Sequence, residues 1–424
     1  MKAEILTIGD ELLRGEIVDS NKAVLSDRLL GLDVETHWQS SVRDDPEQMT
    51  DAFRRAVGRA DVVLVSGGLG PTRDDLTSRV LAESFGRKWL LDERALDDIR
   101  RFFRSVGREM TENNAQQARF PEGAEVLPNP IGTAPGFAIE EQGAWVVCMP
   151  GVPREMQRML EEQVLPRLAS RLGARGSAIR ARLLRTFGMG ESTLDAELAD
   201  LDLGDVVLGF RTTFPDNYLR PVARAASAEA AEAALERACA LIRERLGALV
   251  YGEGGETMAQ VVGHLLRGHG ETLALAESCT GGLVAQLVTE VPGASDYFLG
   301  GVVAYSNEAK RDRLGIPQEL LDAHGAVSEP VARAMAEAVR ERFGADIGVA
   351  TSGISGPGGG TAEKPVGLVH VALARVSGTH ADHFVFPLDR ARHRLLTAQV
   401  ALDWVRRALL GVELVGPSLL RRKE

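Results

Sequence analysis

The chain reads as an α/β protein in three parts: an N-terminal three-layer domain on a parallel sheet (1–168), a small α+β middle domain (169–254) and a C-terminal α/β domain (255–415). Three observations predict this. Apolar runs alternate with amphipathic helical stretches from residue 3 onward, the pattern of right-handed βαβ units. A strand-helix-strand-strand-helix-strand order then follows a Gly/Arg-rich connection, Arg171-Leu172-Gly173-Ala174-Arg175-Gly176-Ser177. Alternation resumes after that, with three buried runs that each end in a polar or glycine-rich loop. Length agrees, since 424 residues suggest two to three domains at about 150 residues each.

Composition narrows the function classes. With 44% hydrophobic and 26% charged residues, and no apolar run near the ~20 residues a membrane span needs, a soluble globular protein is expected. The first residues start a strand with no signal-peptide pattern, so a cytoplasmic location is expected. Cys148, Cys239 and Cys279 have no metal-ligand spacing and no even-numbered framework, which fits a reducing compartment. A net charge of -11 argues against a protein that coats nucleic acid, and no direct nucleic-acid binding is expected.

In the first part the pattern predicts strands over 3–9, 34–40 and 61–66 and helices over 21–31 and 46–58. Ligands of such sheets bind outside the carboxyl ends of the strands. Two loops lie there. Gly9-Asp10-Glu11-Leu12 leads to Asp19-Ser20-Asn21, residues suited to capping the next helix. Ser66-Gly67-Gly68-Leu69-Gly70-Pro71-Thr72-Arg73-Asp74-Asp75-Leu76-Thr77 has glycines that admit a phosphate closely, and aspartates that either hold a divalent cation or complement the helix dipole. Turns at 128–136 and 149–153 flank short strands, and Met156, Met159 and Leu160 fall on one helix side as core.

These loops resemble the molybdopterin-binding domain of molybdenum-cofactor biosynthesis proteins. Together with Asn129-Pro130-Ile131-Gly132-Thr133-Ala134-Pro135-Gly136 and Met149-Pro150-Gly151-Val152-Pro153-Arg154-Glu155-Met156 they resemble more closely the N-terminal domain of the CinA (competence/damage-inducible) family. The resemblance implies either hydrolysis of the ADP-ribose pyrophosphate with a divalent metal of unknown identity or a nucleotide-binding module, rather than molybdenum-cofactor synthesis. It points to Asp10, Asn21, Gly67, Gly68, Gly70, Thr72 and Thr77 as nucleotide-binding residues and to Asp75 and Asp10 as metal ligands, although spacing leaves open which carboxylates bind.

The middle part predicts strand 179–187, helix 190–200, strands 205–211 and 217–224, helix 227–246 and strand 248–251, a ferredoxin-like order. Phe187-Gly188-Met189-Gly190 reads as a helix cap.

The last part centres on Leu273-Ala274-Leu275-Ala276-Glu277-Ser278-Cys279-Thr280-Gly281-Gly282, a buried strand running into hydroxyls and glycines before a helix. Such a turn exposes a nucleophile at the sheet edge, or else its Ser278 and Thr280 merely cap the helix. A second run ends at Tyr305-Ser306-Asn307-Glu308-Ala309-Lys310, a third at Ser352-Gly353-Ile354-Ser355-Gly356. Serine needs a base to become a nucleophile, and no histidine has an evident place beside these loops. Partial burial would lower the pKa of Lys310 enough for that role, whereas a surface lysine is the bland alternative. Gly281-Gly282 and the 353–356 loop are candidate backbone donors to an oxyanion.

This segment resembles the CinA C-terminal domain, which also exists alone as nicotinamide mononucleotide (NMN) deamidase. The resemblance rests on Ala276-Glu277-Ser278-Cys279-Thr280-Gly281-Gly282, Tyr305 through Lys310, His324-Gly325-Ala326-Val327-Ser328 and Gly353-Ile354-Ser355-Gly356-Pro357-Gly358-Gly359. It implies Ser278 as nucleophile, Lys310 as base with Tyr305 assisting, and substrate binding by Thr280, Gly281, Gly282, Ser352, Gly353 and Arg392, the last through phosphate. No cofactor is expected for that step. A salvage hydrolase acting on NMN and ADP-ribose, as a homodimer, is the leading expectation. The rivals are Cys279 as nucleophile and a nucleotide-sensing or competence-linked binding protein with an inactive N-terminal domain.

Overall fold

The computed structural model describes residues 1–173 and 178–418. Two compact units result, Met1–Arg180 with Arg224–Ala231 and Ala181–Ala223 with the chain from Glu232 onward. Of the expected connection, Arg171 and Leu172 end the helix Leu165–Leu172, while Ala174-Arg175-Gly176-Ser177 lies outside the described residues. No described helix is long and apolar enough to cross a membrane.

The first unit contains β1 (Lys2–Ile8), β2 (Glu35–Val42), β3 (Val62–Ser66), a two-stranded ribbon of β4 (Trp89–Leu91) and β5 (Arg119–Pro121), then β6 (Glu125–Leu127), β7 (Gly136–Glu141) and β8 (Ala144–Met149). The main sheet runs β2-β1-β3-β8-β7-β6, parallel through its first four strands and antiparallel at the last two. Alternate side chains serve opposite faces, as the period of a strand requires. Leu6, Ile8, Val63 and Val65 enter one core with the helix Pro46–Val57, while Ala3, Ile5, Val62 and Leu64 enter the other with Ser20–Leu30 and Met156, Met159 and Leu160. Three layers follow from a sheet buried on both sides.

The middle sheet of the second unit runs β11-β12-β10-β13, every neighbour antiparallel, the ferredoxin-like order expected. Its strands are β10 (Leu184–Thr186), β11 (Val207–Thr213), β12 (Asp216–Ala225) and β13 (Val250–Glu253), with β9 (Ala178–Ala181) ahead of them. The single strand expected over 179–187 is thus two, interrupted at Arg182 and Leu183, where Arg182 N–H still donates to Pro221 O at 3.1 Å and its side chain pairs with Glu232, Glu236 and Glu253.

The C-terminal sheet runs β15-β14-β16-β17-β18, from β14 (Leu273–Glu277), β15 (Phe298–Val303), β16 (Ile347–Gly353), β17 (Leu368–Arg375) and β18 (Gly378–Val385). The first three are mutually parallel and the last two form an antiparallel hairpin. Residue size sorts its faces. Leu273, Leu275, Ile347, Val349, Val369 and Val371 pack toward the long helix Arg390–Leu410, whereas Ala274, Ala276, Ala350, Ala372 and Ala374 line the other face. Small residues there let the helix Glu329–Phe343 sit close, and a Cβ on Gly348 would meet Ala336 O at 2.2 Å.

Candidate functional site

In the C-terminal sheet the first strand, β14, lies between the second and third, so the strand order reverses at its carboxyl end while the three strands stay parallel. A crevice opens at such a switch point. The turn 278–282 leaves β14 there, and the loops after β15 and β16 end beside it.

Ser278 does not cap the helix Leu283–Thr289. That task falls to Glu277, whose buried carboxylate accepts from the N–H groups of Gly282 (2.9 Å), Val284 (3.1 Å) and Ala285 (2.8 Å). A carboxylate at a helix start satisfies orphan donors and meets the positive end of the dipole. The Ser278 hydroxyl is thereby released from capping. Lys310 arrives from the helix Asn307–Leu314, capped by Ser306, and its ammonium end is carried inward: Nζ lies 3.1 Å from Ser278 Oγ and 2.9 Å from Ala304 O, with the residue only 1% exposed. Burial pushes the Lys310 pKa down, opposed in small part by Cys279. Stripped of water, the charged amine loses its solvation and the neutral form gains. A neutral amine beside a serine hydroxyl is a proton acceptor. The surface-lysine alternative is therefore overturned by the fold.

Other expected residues fall elsewhere. Thr280 is buried and shares a hydrogen bond of 2.7 Å with Thr351. The Gly281 and Gly282 N–H groups, expected as oxyanion donors, are spent on Ser278 O and Glu277, because the turn closes on itself. Ser352 is buried and donates to Ala326 O at 2.7 Å, and a Cβ on the neighbouring Gly353 would meet Leu368 O at 2.6 Å. Tyr305 lies past the end of β15, 59% exposed, its hydroxyl accepting from Arg390 at 2.8 Å. Arg392 stands over the ring of Phe214 with a centroid distance of 5.7 Å. Cys279 is buried and its thiol is pushed up to about 12 by burial, so it offers little thiolate. Sequence reasoning misses Glu277 as cap, and it reads the 389–394 helix start as a phosphate fork, whereas Arg390 ties Gly356 O to Tyr305 and Arg394 donates to Thr280 O and braces the turn. Arginine at every second place of one helix start was the available signal.

The N-terminal sheet repeats the switch point, β1 lying between β2 and β3. Gly67 and Gly68 adopt φ of 116° and 66°, and a Cβ on Gly67 would meet Ile8 O at 2.2 Å, so glycine is required. Thr77 Oγ1 donates to Gly67 O at 2.8 Å, and Asp75 accepts from Thr72 N at 2.8 Å beneath Gly70. Asn21 Nδ2 donates to Ser66 Oγ at 2.9 Å and Gly151 O at 2.8 Å. Asp10 pairs with Arg14, and its N–H donates to Asp44 at 3.0 Å. Burial raises the pKa of Asp44, helped by the charges of Glu11, Asp74 and Asp10 and opposed by that N–H. Glu155 accepts from Asn129 at 2.7 Å.

Fold and site define the class: an α/β protein with two switch-point sheets, one of which holds a buried serine–lysine pair of the kind acyl-transfer chemistry uses. Comparison with known proteins narrows this. The description "CinA C-terminal domain" fits residues 255–409, "Damage-inducible protein CinA KH domain" fits 181–252 and "Probable molybdopterin binding domain" fits 4–170. A CinA-like protein of Geotalea uraniireducens is 42% identical over 97% of this chain and 98% of its own. Another, from Anaeromyxobacter sp. strain Fw109-5, is 47% identical over 96% of this chain and 99% of its own. Among solved structures, competence/damage inducible protein CihA from Agrobacterium tumefaciens is 42% identical, covering 36% of this chain and 93% of that one with a TM-score of 0.34. The chain belongs to the CinA family.

Proposed function

We propose that the C-terminal site is an amidohydrolase that converts NMN to nicotinate mononucleotide and ammonia. The observation that carries this reading is Lys310 Nζ, buried and depressed in pKa, 3.1 Å from Ser278 Oγ. Neutral Lys310 takes the hydroxyl proton as Oγ bonds to the carboxamide carbon, giving a tetrahedral oxyanion. Lys310 then returns the proton to the departing nitrogen, ammonia leaves and an acyl ester remains on Ser278. Water attacks the ester, again giving its proton to Lys310, and the acid departs as Oγ–H is restored. Ala304 O, accepting one Nζ hydrogen, orients the amine toward Ser278.

The test is ammonia release from NMN by the wild type and by Ser278→Ala, without added metal. Release by the wild type alone is expected. Release by neither would sink the deamidase and favour a nucleotide-binding role for the chain.

For the N-terminal crevice we keep hydrolysis of the ADP-ribose pyrophosphate as the proposal, supported by the glycine loop at the switch point. Its carboxylates do not, as placed, make a metal cradle: Asp10 and Asp75 are spent on Arg14 and Thr72, and no set of three or more metal-ligating side chains assembles among the described residues. We derive no step through a metal. AMP release from ADP-ribose, measured with and without added manganese, tests this reading: release by the wild type is expected, and no release under either condition would sink it.

A further inference from the structure

The helix Arg390–Leu410 begins with arginines at 390, 392 and 394; Arg394 is committed to the serine turn at Thr280 O and Arg390 to Gly356 O and Tyr305 in the loops after β16 and β15. Arg392 differs. Its guanidinium makes no hydrogen bond to a described residue; Asp389 is 3.7 Å away, and the flat face rests on the Phe214 ring. Phe214 comes from the middle sheet, at the turn joining β11 to β12, and packs partly buried against the C-terminal core. Two residues on, Asp216 is buried and accepts from Arg185 (2.7 Å), Tyr251 (2.6 Å) and Gln399 (2.9 Å). Gln399 belongs to the same long helix, seven residues past Arg392 and so about two turns along one face. The hairpin therefore grips that helix at two levels, and buried bonds fix its tip.

We infer that Phe214 is a positioning residue for the C-terminal site: it holds Arg392 as an anion receptor, so that the middle sheet is a working part of substrate recognition. The inference rests on the deamidase reading for the identity of the anion, the phosphate of a mononucleotide. An aromatic face under a guanidinium limits the rotamers of a long exposed side chain and leaves its N–H edge for an anion. At an exposed site that support is worth a few-fold in affinity.

The experiment titrates inorganic phosphate into the wild type, Phe214→Ala and Phe214→Tyr by calorimetry, and measures deamidation of NMN and of its dephosphorylated nucleoside. In Phe214→Ala, phosphate affinity falls about three- to fivefold and KM for NMN rises by the same factor with kcat kept. KM for the nucleoside does not move, and Phe214→Tyr restores both values. A general loss of structure would shift the nucleoside as well. Unchanged phosphate affinity in Phe214→Ala, an equal effect on both substrates, or a wild type that binds no phosphate overturns the inference. If the wild type releases no ammonia from either substrate, the deamidase reading fails, and the phosphate titration still decides the platform.

Discussion

The two crevices of this chain obey one topological rule and differ in what they do with their polar groups. In each, the first strand lies between the second and third, and the loops that follow meet at its carboxyl end. At the N-terminal crevice the loop side chains are spent within the crevice, mostly on backbone: Thr77 on Gly67 O, Asp75 on Thr72 N–H, and Asn21 on Ser66 Oγ and Gly151 O. At the C-terminal crevice Glu277 absorbs the helix start and Arg394 braces the turn, which frees Ser278 to face Lys310. Topology places a site; local satisfaction of hydrogen bonds decides whether a nucleophile is left over in it.

The contrast breaks most visibly at the base. Lys310→Met is expected to lower ammonia release from NMN about 10³-fold, within the range for loss of general-base catalysis, whereas Asp75→Ala leaves that release unchanged. Equal losses from both variants would mean that the crevices are not separate in function.

Next in size is the cap. Glu277→Ala strands three N–H groups at the helix start, that of Val284 buried and the other two half-buried, and is expected to cost about 2–3 kcal/mol of stability in denaturant unfolding. Glu277→Gln keeps an acceptor and should cost less.

The same lysine carries a stability effect of opposite sign. Its folded pKa lies below the unfolded value, so the unfolded chain binds more protons between the two and stability rises with pH through that window. The burial cost is fully present below the folded pKa. Lys310→Met should therefore be the more stable protein at neutral pH, by about 1 kcal/mol, with the gap closing as pH nears the ordinary lysine value. Thermal melts at several pH values check this.

The smallest effect belongs to the N-terminal loop, where Thr77→Val leaves Gly67 O short of its donor and should cost about 1 kcal/mol with no change in ammonia release.

Much of this architecture was legible in the sequence, and the residues show why. Parallel strands such as Val62–Ser66 are short apolar runs between turn residues, and the loops that follow are rich in glycine. The hairpin of β17 and β18 was passed over because its first strand, buried almost throughout, lacks the alternation that marks a half-exposed strand. Ser278 stands out and Lys310 is a chemically reasonable base at the end of the next strand, but spacing leaves a surface lysine equally open, since it says nothing about which side chain turns inward; only the fold brings the two together over 32 positions. Glu277 was illegible for a different reason: a carboxylate inside a buried strand contradicts the burial rule until its three N–H partners are seen. Among Arg390, Arg392 and Arg394, only the rotation of the helix against the sheet decides which meets the turn and which meets Phe214.

The central claim is that the fold turns Lys310 into a base by burying it beside Ser278. Its most direct test is an NMR titration of the lysine side chains in the substrate-free protein, with the Lys310 signal assigned by its absence in Lys310→Met. Titration of Lys310 clearly below the ordinary lysine value of about 10.4 is the predicted result. A Lys310 signal that titrates together with the surface lysines would contradict the account.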